Sequence, residues 1–137
     1  MNRENLKEIY NKYNLDPDDI FVLKFGGKDK PIITRAGIEK IQAQLNIQVN
    51  FKIEKLSDDL KSCIILAHGV IMKDHPEQKG QQLPGVMAQS FGEVSPANST
   101  HKFPIAICEK RALGRVVLKM AKLHGIYSED ESEDFKK

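Results

Sequence analysis

Four cations recur along one side of a C-terminal segment that reads as a helix: Arg111, Arg115, Lys119 and Lys122. At about 100° per residue they share an arc of about 80°, and no acid interrupts it. A ridge of this kind suits phosphate oxygens, which Lys and Arg contact without regard to base sequence. A charge stripe is equally the mark of a solvated helix face. Ile105, Ala112, Leu113, Val116, Met120 and Leu123 fill the adjoining arc and are expected to meet a core. Glu109 falls inside that apolar arc, where a carboxylate must be paired, hydrogen-bonded or protonated. A structural ion pair, with Arg35 as a candidate partner, is preferred there over a catalytic acid, because structural networks perturb carboxylates too.

Further bases gather in loops. Lys24, Lys28, Lys30 and Arg35 surround Gly26-Gly27, Lys73 and Lys79 bracket a polar stretch, and Lys102 precedes the C-terminal helix, on which Lys110 joins Arg111, Arg115 and Lys119 as a phosphate contact. Phe25, Phe91 and Phe103 stand near them. Proteins that hold single strands combine a positive groove with aromatic platforms, each stacked base contributing ~1–3 kcal/mol. Core packing is the other use of such aromatics, and Phe51 is assigned to it. The expected nucleic-acid site therefore comprises Lys28, Lys30, Arg35, Phe91, Lys102, Phe103, Lys110, Arg111, Arg115 and Lys119.

Other chemistry finds little footing. His68, His75, His101 and His124 match no zinc-protease or deaminase spacing. Gly26-Gly27-Lys28 is not a phosphate-binding loop of the NTPase type, and no serine sits in a hydrolase elbow. Cys63 and Cys108 lie far apart in apolar runs and read as two reduced core thiols. No catalytic residue, metal or cofactor is expected. No apolar run approaches the ~20 residues of a membrane helix, and Met1 to Asn5 lacks an apolar signal region behind it. A cytoplasmic location is expected, in the host cell if the chain is phage-encoded.

The elements that must position these residues follow from patterning. Asn2–Tyr13 reads as a helix, Asp16–Asp19 as a turn, Ile20–Phe25 as a strand, and 26–30 as a hairpin loop leading to a short strand at Pro31–Ile33. Thr34 caps a helix over Arg35–Leu45, which Asn46 ends. Ile47–Leu56 alternates, with Val49, Phe51 and Ile53 inward and Gln48, Asn50, Lys52 and Glu54 outward. Leu60–Met72 is apolar almost throughout and predicts a central strand covered on both faces. A polar loop over 73–85 leads to a strand at Val86–Val94. Ser99 or Thr100 then caps a helix from Pro104 to about Leu123, with Gly125 as its stop. The fold class is α+β: an antiparallel three-strand meander plus an N-terminal hairpin, packed against a long C-terminal helix, with one sheet face free for a ligand. Residues 1–127 form one domain.

Residues 128–137 carry five acids and two lysines against an overall charge of +2, which leaves 19 basic and 14 acidic residues in the body. They read as a flexible acidic tail. A tethered anion can compete for a cationic groove, and Phe135 can be offered to a partner.

Phe91-Gly92-Glu93-Val94-Ser95-Pro96-Ala97-Asn98, Glu109-Lys110-Arg111-Ala112 and Tyr127-Ser128-Glu129-Asp130-Glu131 together resemble a group of small phage and mobile-element proteins. That resemblance implies a role in DNA metabolism. The meander followed by Arg111-Ala112-Leu113-Gly114-Arg115 is also similar to the phage single-strand annealing proteins. This likeness implies a basic groove between sheet and helix that holds single-stranded DNA, and ring or filament oligomers. The acidic end resembles the tails of single-stranded-DNA-binding proteins, which implies replication or recombination partners. The expected function is sequence-independent binding of single-stranded DNA in replication or recombination. The alternative is a protein-binding module or an inhibitor of a host factor.

Overall fold

Thr34 and Asn46 bracket a helix as their chemistry demands. The Thr34 hydroxyl accepts from the Gly37 N–H at 3.1 Å, and Asn46 adopts a left-handed conformation at φ 53°. The computed structural model describes residues 3–98 and 102–135. In chain order they form α1 (Arg3–Tyr13), β1 (Ile20–Phe25), β2 (Lys28–Ile33), α2 (Arg35–Leu45), β3 (Ile47–Leu56), β4 (Cys63–Asp74), β5 (Gln82–Val94), α3 (Pro104–Met120) and β6 (Tyr127–Ser128). Short 3-10 turns cover Pro17–Asp19 and Glu129–Phe135.

Two sheets result. β1 and β2 form an antiparallel hairpin across Gly26 and Gly27, both at positive φ, and β6 adds to β2 in parallel. The strand before Thr34 is thus longer than Pro31–Ile33, because the two glycines alone make the turn. β3, β4 and β5 form the antiparallel meander, with β4 in the centre. β4 and β5 run on to Asp74 and from Gln82, so the polar loop shrinks to 75–81.

α3 lies on one face of the meander. Gly92 lets it approach closely: a Cβ there would sit 2.3 Å from the Cys108 carbonyl oxygen. Gly69 does the same under Val116 and Met120. Burial holds the Cys108 thiol protonated, pushing it up to about 12, and its Sγ donates to the Cys63 and Gly92 carbonyls at 3.3 Å each. Both cysteines are buried and free. The opposite side of α3 is covered as well. Ser128 of β6 sits against Gly114, and Ile33, Ile38 and Ile41 join Val117 and Leu118 in one core. A helix apolar nearly all round is a buried helix, and α3 is the central element of the fold rather than its outer layer.

α3 ends earlier than Gly125. Lys122 takes φ 59°, its N–H bonds the Lys119 carbonyl, and the Leu123 N–H bonds the Leu118 carbonyl. This is a Schellman closure on a non-glycine residue. Phe103 holds the position before Pro104; Ser99 and Thr100, expected as caps, lie outside the described residues.

Two expectations about the meander are corrected. β4 is buried mainly on one face: Cys63, Ile65 and Ala67 are buried, whereas on the other face Ile64, Leu66 and His68 are half-exposed and Val70 alone is covered. Phe51 is not core. It and Ile53 face the α3 side, but α3 runs over β4 and β5, leaving them 40% and 54% exposed. The acidic end is corrected too. Ser128, Asp130 and Ser132 are buried, so 128–132 are folded onto the domain. Among the described residues, no helix is long and apolar enough to cross a membrane.

Candidate nucleic-acid interface

The basic stripe of α3 meets the edge of β5. Arg111 Nη1 donates to the Glu93 carbonyl at 3.1 Å, Arg115 Nη1 to Phe91 at 2.8 Å, and Lys119 Nζ to Gln89 at 2.9 Å. The spacing explains the match. Four helical residues rise about 6 Å, and two strand residues advance about 6.6 Å. Each cation therefore finds the next outward carbonyl of an edge strand, and the ladder closes that edge over Gln89 to Glu93.

The acidic segment closes the stripe from the other side. Arg111 is 1% exposed, and its Nε donates to the Asp130 carbonyl at 2.9 Å while its other nitrogens reach Asn98. Arg115 pairs with the Glu93 carboxylate at 2.7 Å and with Glu131. Its hydrogen bond to Glu93 raises the Arg115 pKa further, and the same bond holds Glu93 below the usual carboxylate range against burial. Arg35 donates to Asp130 through Nε at 2.8 Å and Nη2 at 2.5 Å, and Glu129 accepts from its backbone N–H. Arg35 therefore serves Asp130, not Glu109. Among the described residues no cation reaches Glu109, which is half-buried.

The expected site residues thus fall in separate places. Arg35, Arg111 and Arg115 converge, but on the protein's own acids and carbonyls. Arg111 is out of reach of an external phosphate. Lys110 lines a small crevice beside Arg35 and Asp130. Lys102 and Phe103, the latter 73% exposed, border a shallow groove with Leu60 and Lys61. Lys28 is exposed in the β1–β2 hairpin, and Lys30 stands over the Tyr127 ring at 5.6 Å. No single basic trough unites them.

Phe91 and Lys119 remain at the meander, and a different surface gathers around Phe91. The face of β3–β4–β5 turned from α3 is open among the described residues except at Val70. Register sets its side chains in rows: Lys52, Leu66 and Phe91; Asn50, His68 and Gln89; Gln48, Val70 and Met87. Phe91 is 52% exposed, and Met87 is similarly open. Lys52 Nζ lies 3.6 Å from Glu54 and stays largely in solvent. His68 Nδ1 and Gln89 Nε2 are 3.2 Å apart, a contact that orients the ring and amide together. This face offers an aromatic ring, amides, an imidazole and a lysine on a rigid sheet. Sequence patterning pointed to it through the outward Gln48, Asn50 and Lys52. His68 and Gln89 carried no motif, and only cross-strand register brings them together.

Among the described residues no cluster of His, Cys, Asp or Glu has the makings of a metal site. Comparison with known proteins finds no matching family model, no matching curated protein and no matching solved structure.

Proposed function

We propose that this protein binds single-stranded nucleic acid, without sequence preference, across the open face of the β3–β4–β5 sheet. The observation that carries the reading is the row Lys52–Leu66–Phe91 beside the amide and imidazole row of Asn50, His68 and Gln89. A half-exposed phenylalanine on a sheet is a stacking platform, and every base has a face to stack on it. Amides and an imidazole serve base edges, and Lys52 and Lys119 serve phosphates. Arg111 and Arg115 of the helix ridge have no such part, because they are engaged within the chain. The binding is accordingly carried more by stacking than by charge. Labelled oligo-dT and its duplex, titrated at two salt concentrations, test this. Preferential binding of the single strand with a shallow salt slope is expected. Equal affinity for duplex, or a steep slope of many phosphate contacts, contradicts it.

A second reading has its own observation. Val86, Met87 and Phe91 are all more than half exposed on β5, and apolar side chains on an open surface also suit a protein partner. Capture of one host protein, with no oligonucleotide binding at any salt concentration, favours that module.

A further inference from the structure

The two edges of the meander are treated differently. β5 has its outward carbonyls at Gln89, Phe91 and Glu93 taken by Lys119, Arg115 and Arg111. β3 is ten residues long and pairs only with β4. Among the described residues no side chain donates to its backbone beyond Ile47, whose carbonyl accepts from Gln42 at 3.2 Å. Every residue from Asn50 to Leu56 is exposed, including the apolar Phe51 and Ile53. A long open edge with apolar side chains is a template for another strand.

We propose that β3 pairs antiparallel with β3 of a second copy of this chain, about a twofold axis at Phe51. The register follows from side-chain chemistry. Opposed residues in an antiparallel pair share a face. A twofold at Phe51 sets Phe51 against its own copy and Val49 against Ile53 on the α3 side. It sets Asn50 against Lys52 on the open side, and the bulge residue Glu54 meets only the neutral Gln48. No like charges oppose, and Phe51 and Ile53 gain cover. A twofold at Lys52 would oppose two lysines, and one at Lys55 would fall beyond the bulge that begins at Ile53.

The occupied part of the β5 edge, Gln89 to Glu93, limits assembly. A head-to-tail chain of β3 on β5 would have to displace three cation–carbonyl hydrogen bonds, so growth stops at two copies. The product is a six-stranded sheet, β5–β4–β3 continued by the same three strands of the second copy, with one continuous open face.

Sedimentation velocity of the full chain across a concentration series tests the proposal without nucleic acid, so its outcome is separate from that of the binding reading. A monomer–dimer equilibrium is expected, and the Phe51→Lys, Ile53→Lys double variant should weaken the dimer at least tenfold. Both side chains are exposed, and far-UV circular dichroism checks that the variant folds. Amide exchange of the wild-type protein gives a second reading: β3 amides should slow in concentrated relative to dilute protein. A wild-type monomer throughout, oligomers that grow beyond two, a dimer untouched by the double variant, or β3 exchange that ignores concentration would each overturn it.

Discussion

Arg111 and Arg115 sit one turn apart on α3 and end in different surroundings. Arg111 is sealed and bonds mainly carbonyl oxygens; Arg115 is partly open and bonds two carboxylates. Guanidinium suits both tasks because its fork of donors can satisfy several acceptors at once. Glu93 carries the pH dependence of the Arg115 pair. Its hydrogen bond from Arg115 holds its carboxyl below the ordinary range, against burial that pushes it up. A carboxyl lowered in the folded state adds stability that is complete above its unfolded pKa of about 4.3. That stability is lost as pH falls through the lower folded value. Urea midpoints of wild type and Glu93→Gln should therefore differ by a constant amount from neutral pH down to about 5, and converge as pH falls through the lowered folded value. A gap that persists undiminished at the acid end would show that Glu93 does not act through its charge.

At the scale of elements, the C-terminal segment is a clasp. β6 extends the β1–β2 sheet, and Asp130 and Glu131 tie it to Arg35, Arg111 and Arg115 on α2 and α3. Removing residues 128–137 takes the Asp130 carbonyl from the buried Arg111 guanidinium, a charged hydrogen bond that contributes ~1.5–3 kcal/mol, while the more exposed pairs of Arg35 and Arg115 add less. Denaturant unfolding should show a destabilisation of that order, where a dispensable tail would leave the midpoint unchanged. Why the clasp was hidden in the sequence is a matter of range. The acids of 128–137 are dense enough to read as solvated chain, and their partners lie up to 95 residues away. What local chemistry decides was legible: the Thr34 and Asn46 caps, the Gly26-Gly27 turn and the alternation of β3. What depends on a second layer was not. The stripe on α3 was visible, but the β5 edge that consumes it was not. The Lys122 stop was missed because a lysine rarely adopts positive φ. Half of the Phe91 surface could be foreseen from the outward residues of β3, and the other half needed the register of β4 and β5.

On the scale of the whole molecule, α3 is a buried axis between two sheets, and its cations hold the fold together. The far face of the meander stays open, and there Phe91 meets residues that no motif announced. Phe91 is the side chain on which the account turns, and it is exposed enough to be replaced without opening the core. The most direct measurement is the affinity of Phe91→Ala for labelled oligo-dT, beside wild type at one fixed salt concentration. Affinity about tenfold weaker is expected, the loss of a single stacked base, with unfolding midpoints nearly equal. Wild-type binding that Phe91→Ala leaves unchanged, or no binding by wild type at all, would contradict it.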